Sequence, residues 1–408
     1  MMRPQSLGRL AFWCLLGAGT VLPVRPVRAV YNPFPLPDPS RRWGASLASQ
    51  IGYDDNINTT LSGKKDSLTS HFEPQLIVNF PQEQTFLGLR YTYGATYYFE
   101  CAGDQLDSSH SGEVLFSHTF SPRLSLDLRD RVVRGIAPEL VETAAGVPLI
   151  TRRRGDYLYN DLGGTLSYGL GSRWSVFAGG GWQLWNYDDQ LMATENDRNG
   201  YRGMLSVAYA FRPRTSFGFG YEFQETDYRT PGVRNARNTQ SHIAYGTIIE
   251  RFNPKLTLQL NGGLQLSEFG DGTSDSAPWA SASATYNYAP ESALTAGFSY
   301  QISTTEVGAY RSADTASGFL RIEHHFTKKV RASANAAFSV STFSNPTPGF
   351  FLRSGLEERG LFLGLNLTYE FSRWLSANAG YTFDQVVSDV AGRAYDRNRF
   401  SLGLRFVY

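Results

Sequence analysis

Arg399-Phe400-Ser401-Leu402-Gly403-Leu404-Arg405-Phe406-Val407-Tyr408 alternates without a break. Phe400, Leu402, Leu404, Phe406 and Tyr408 share one face, while Arg399, Ser401, Gly403 and Arg405 share the other, the period-2 signature of a β-strand. The same alternation recurs from Leu361 to Phe371, from Phe217 to Phe223 and from Leu87 to Tyr97. In a β-sandwich the face opposite the core would be ordinary surface, rich in Lys and Glu. Here the polar face is Gly, Ser, Thr, Asn and Gln with isolated charges, and the apolar face is aromatic at its ends. That suits a sheet with lipid on one side and water on the other.

The turns repeat the message. An aromatic residue or leucine runs straight into a tight polar turn at Phe80-Pro81, Phe120-Ser121-Pro122, Leu170-Gly171-Ser172 and Phe211-Arg212-Pro213. The series continues at Phe252-Asn253-Pro254, Tyr288-Ala289-Pro290, Phe326-Thr327-Lys328 and Phe371-Ser372-Arg373, and its next member is Tyr408 itself. The spacing is about 40 residues, which holds two strands, one short turn and one longer loop. Nine hairpins give an all-β fold: a transmembrane antiparallel up-and-down β-barrel of about 18 strands, with 16 as the alternative, over residues 43–408. Short periplasmic turns then edge one rim and longer extracellular loops the other. Lipid tolerates no open sheet edge, so the first strand (Trp43 to about Asn56) must pair with the last. A barrel of this strand number encloses water rather than a packed core.

Upstream, Arg3 and Arg9 followed by the apolar run Leu10 to Leu22 read as a signal peptide over residues 1–29, cut between Ala29 and Val30. The run is short for a spanning helix, which leaves an uncleaved anchor as the lesser alternative. Residues 30–42 form a proline-rich leader that reads as extended. Beyond the signal the chain holds one cysteine, Cys101, so no internal disulfide is expected. A net charge of +1 argues against nucleic acid as a partner.

The stretches Ala48-Ser49-Gln50-Ile51-Gly52-Tyr53-Asp54-Asp55-Asn56-Ile57, His71-Phe72-Glu73-Pro74-Gln75-Leu76 and Tyr91-Thr92-Tyr93-Gly94-Ala95-Thr96-Tyr97-Tyr98 carry a resemblance. With them the chain resembles the "putative beta-barrel porin type 2" group of outer-membrane proteins. The resemblance implies an outer-membrane barrel tied to export of surface or extracellular polysaccharide, with periplasmic export components as partners. A general diffusion porin, and a closed barrel that binds a surface partner, are the competing expectations. The terminal aromatic Tyr408 also looks like the signal that barrel-insertion machinery reads.

Alternation places Arg90, Arg129, Arg131, Arg321, Arg331, Arg399 and Arg405 inside, with Asp127, Glu222, Glu323, Glu370 and Asp384. These are the expected pore-lining charges. Their signs nearly balance, which favours a weakly charged solute, or charges that brace one another across strands. Asp54, Asp55 and Asn56 offer oxygens for a divalent cation, against the plainer reading of a polar strand end. The loop from about Gly135 to Arg154 is apolar enough to fold into the lumen or over the mouth. Trp185 faces inward, to stack on a sugar or simply to pack. No catalytic signature and no cofactor motif is present, so an enzyme is not expected.

Overall fold

A strand with one lipid face and one water face is satisfied only when its backbone is paired on both edges. The computed structural model describes residues 33–36, 40–101, 105–135, 140–142, 148–150, 156–229, 236–305, 307–347 and 353–408. Its strands run β1 (Trp43–Asp54), β2 (Ser67–Pro81), β3 (Thr85–Tyr98), β4 (Leu106–Ser121) and β5 (Leu124–Gly135). A small two-stranded hairpin, β6 (Leu140–Glu142) and β7 (Pro148–Ile150), stands in the following loop. Next come β8 (Tyr157–Leu170), β9 (Trp174–Tyr187), the helix α1 (Gln190–Asn196), β10 (Arg198–Ala210) and β11 (Thr215–Tyr228). The sheet continues through β12 (Thr239–Asn253), β13 (Leu256–Phe269), β14 (Ser274–Ala289), β15 (Ser292–Thr304) and β16 (Tyr310–His325). It finishes with β17 (Val330–Pro346), β18 (Leu356–Ser372), β19 (Leu375–Ser388) and β20 (Tyr395–Val407).

Without β6 and β7 these strands form one 18-stranded antiparallel sheet. It closes on itself, with β1 pairing β20 from Ser46↔Val407 to Asp54↔Arg399. Backbone bonds between Ala45 and Tyr408 carry the seam one step further. The ring of Tyr408 lies between those of Trp43 and Trp374, with the Arg41 guanidinium 4.7 Å from its centroid.

The apolar faces point outward as the alternation requires. Ile51, Phe219 and Leu264 are each about two-thirds exposed (66, 64 and 65%), which in a membrane means contact with acyl chains. The short-turn rim carries a girdle of exposed Trp43, Phe80, Phe120, Trp174, Phe211, Phe252, Phe326 and Phe371. Every tight turn named from the sequence lies on this rim, with the chain end. The opposite rim holds the longer connections, α1 among them.

The signal segment, Ala29 and Val30 lie outside the described residues, as do most of the 135–154 loop and residues 230–235. Of that long loop, the described strand β7 comes beside β16, nine strands round the ring from β5. Its backbone therefore reaches across the mouth.

Candidate functional site: the lumen

The inward faces make two unlike walls. On β3 to β11 the wall is charged. Arg90 and Arg129 both bond the Glu113 carboxylate, which lies between them on β4 and is buried. Asp127 accepts from the Ser117 hydroxyl at 2.5 Å, and Glu222 accepts from Gln224 at 2.8 Å. Arg202 on β10 reaches past β9 to Asp161 on β8, at 2.9 Å. Glycines make that reach possible. Gly163, Gly181 and Arg202 are successive partners across β8, β9 and β10, and a Cβ on Gly181 would stand 2.4 Å from the Arg202 Nε.

On β12 to β17 the wall is largely hydroxyl. Ser241 bonds Ser267, Ser299 bonds Ser317, and Ser303, Thr315 and Ser341 form a chain across three strands. Arg321 bonds the Asn335 side chain on this side. Arg331, Glu323 and the exposed Glu370 stand towards the short-turn rim. Near the closing seam, Arg399 bonds Asp384 at 2.8 Å, and Arg405 donates to Ser46 at 2.9 Å. Arg90, Arg129, Arg399 and Asp384, all assigned inward by alternation, form ion pairs between strands.

Asp54, Asp55 and Asn56 have their oxygens occupied. Arg397 grips both oxygens of Asp54, whose Oδ1 also accepts from the Asn56 amide. Asp55 takes the Asn398 amide and side chain, each at 2.7 Å. Asn56 is fully buried and ties Thr60 to the Asp396 carbonyl. The cluster is a joint pinning the first loop to β20, and no group of metal-ligating side chains occurs among the described residues.

Both mouths are narrowed from inside. At the outer rim, α1 begins where Asp189 accepts from the Met192 amide at 2.8 Å. Met192 and Ala193 pack on a lumenal cluster of Val133, Tyr157, Tyr159, Trp185 and Tyr187. Trp185 thus packs, 4.4 Å from the Tyr159 centroid, and is not open for stacking on a solute. From the other side comes the β15–β16 connection. Arg237, wholly buried in the β11–β12 loop, joins the two. It donates to the Glu195 carbonyl of α1 at 2.7 Å and to the Thr305 carbonyl, and its guanidinium lies 4.2 Å from the Tyr228 ring centroid. Beside it, the β13–β14 loop holds Asp271. Burial raises its pKa, but hydrogen bonds from the Thr273 hydroxyl and amide, with Arg311 close by, outweigh that and hold the carboxyl below its usual range.

At the inner rim the leader turns into the barrel. Phe34 is buried against Phe86 and Gly88, its carbonyl accepts from the Asn79 side chain at 2.8 Å, and Arg90 lies 4.7 Å from its ring centroid.

Neither α1, Arg237 nor Phe34 was singled out by the alternation. Asp189 ahead of a run of helix formers is a readable cap signal. Arg237 carries no local signal, because the carbonyls it joins, Glu195 and Thr305, belong to two connections distant in sequence.

A closed barrel with aromatic girdles and a polar lumen is the architecture of an outer-membrane porin. A family described as "Putative beta-barrel porin 2" matches residues 44–408. The chain belongs to that family. As a member of the porin family it is an outer-membrane protein. No curated protein is significantly similar to it. Among solved structures it is similar to the outer membrane protein opdK of Pseudomonas aeruginosa, at 12% identity and a TM-score of 0.47, covering 91% of this chain and 100% of that one. It is also similar to Acinetobacter baumannii OccAB2, at 11% identity and a TM-score of 0.46, covering 90% and 98% respectively.

Proposed function

We propose that this porin-family barrel is a passive channel for small polar solutes of low net charge, working by shape and lining without covalent chemistry. The observation that carries the reading is the near balance of the lumenal charges, part of it met in ion pairs between strands such as Glu113 held between Arg90 and Arg129. Paired charges leave little net field to select ions or to draw in a strongly charged polymer. The polymer-export role that the family resemblance implies asks for a clear bore, and the bridge from α1 through Arg237 to Thr305 weighs against it.

The test is swelling of liposomes carrying the full-length protein, in sugars and amino acids of graded size. Small neutral and zwitterionic solutes should enter, with a size cut-off and little preference for charge. A strain lacking the gene should keep its external polysaccharide. Loss of that polymer, with precursors held back in the cell, would overturn this reading in favour of the export conduit.

A further inference from the structure

Strand β15 leaves β14 early. The two pair from Ala289↔Ser292 to Ala280↔Tyr300, and continuing the register would set Ile302 opposite Pro278. β14 itself goes on, paired with β13 through Leu264↔Pro278 to Glu268↔Ser274. Proline has no N–H to offer a neighbouring strand, so sheets accept it where a neighbour is missing. Pro278 stands where the seam opens.

Past that point β15 turns away from lipid. Phe298 is 42% exposed on its outward face, while Ile302, on the same face four residues on, is 6% exposed. A backbone leaving its ladder in a buried place needs other partners. Gln265 on β13, two strands away, supplies them. Its Nε2 donates to the Ile302 carbonyl and its Oε1 accepts from the Ile302 amide, both at 3.0 Å. A primary amide offers the same donor and acceptor as a peptide group, so one side chain stands in for one rung of the ladder. β16 and β17 stay in register with β15 to their ends, at Thr304↔Ser312 and Tyr310↔Pro346. The ends of the three strands lean inward as a unit, and that unit carries the Thr305 carbonyl held by Arg237.

We infer that the outer ends of β15, β16 and β17 form the movable leaf of a gate on the outer mouth, latched shut by Gln265. The inference rests on the channel reading above. The leaf is held across the lumen by side chains, at Gln265, at Arg237, and where Asn345 bonds Asp275 at 2.9 Å. Such contacts break one at a time, whereas a full ladder does not. Swinging back towards β14 regains little, because Pro278 cannot complete the seam. On the β14 side the leaf has no intact ladder in either position, and a small bias therefore shifts the population between them.

The test uses full-length protein in planar bilayers, in a Cys101→Ser background. Gln265→Ala removes both hydrogen bonds to Ile302 and should raise the open fraction on the order of ten-fold. A short reducible thiol-to-thiol cross-linker between Glu195→Cys and Gly308→Cys should lock the leaf to α1, since a Cβ on Gly308 stands 3.4 Å from the Glu195 carboxylate. Cross-linking should then abolish openings even with Gln265→Ala, and a reductant should restore them. Heat-modifiable migration on a gel confirms that each variant forms a barrel. Conductance unchanged by both the alanine and the lock would overturn the gate and leave the channel standing. No conductance in any reduced form would overturn the channel, and the gate with it.

Discussion

Glu113 shows how much one lumenal residue decides. Its carboxylate is buried and answers two guanidiniums, so removing its charge leaves both with a neutral partner. Glu113→Gln should make the channel anion-selective, read as a shifted reversal potential in a salt gradient. It should also cost on the order of 1–3 kcal/mol, read from denaturant unfolding in detergent, because the arginines are part-exposed and water softens the loss. Phe34 makes a separate claim at this scale. Burying a phenylalanine is worth about 1.5–3 kcal/mol, enough to hold a short leader in the lumen. Phe34→Ala should free the leader, seen as faster proteolysis before Trp43 and a larger conductance from the inner side. These residues differ in how far the sequence exposes them. Arg90 and Arg129 are assigned inward by parity alone. Their shared partner Glu113 escapes notice because alternation gives a face and no pairing. Asp54 and Asp55 look like cation ligands until Arg397 and Asn398, more than 340 positions later, fill their oxygens.

At the scale of elements, turns and strands follow from local chemistry and are legible. The eight short turns and the chain end mark the hairpins, and the first and last strands meet as closure demands. What escaped is the way elements leave the sheet. α1 lies in a stretch that reads as a polar loop, yet Asp189 caps it and an aromatic cluster receives it. Losing such a cap costs about 1 kcal/mol, and a seven-residue helix is too short to persist on its own backbone bonds. Asp189→Ala should loosen the outer mouth and speed amide exchange in α1, with no change in exchange of the barrel strands. Pro278 is visible in the sequence as a break in a strand pattern. Its consequence is not, because Gln265 has to arrive from two strands away.

The whole molecule is a closed wall whose width comes from strand number and whose openness comes from what folds inside it. Eighteen strands would leave a broad aqueous lumen. Phe34, α1 and the inward-leaning end of β15 each take some of that space, which narrows the bore. Charge balance belongs to this scale too, for selectivity follows the sum over both walls and not any single side chain. The fold could be read from periodicity because lipid enforces it on every strand. The plug elements could not, since each depends on contacts between distant segments.

The most direct measurement is the reversal potential of the purified full-length protein in a planar bilayer under a salt gradient, with and without Arg129, Arg321 and Arg405 changed to Glu. Discrete conductance steps with weak ion selectivity in the native protein, turning to cation preference in the triple variant, are what a balanced, water-filled lumen predicts. Absence of conductance steps in the folded native barrel, or a reversal potential that the three charge reversals leave in place, would contradict it.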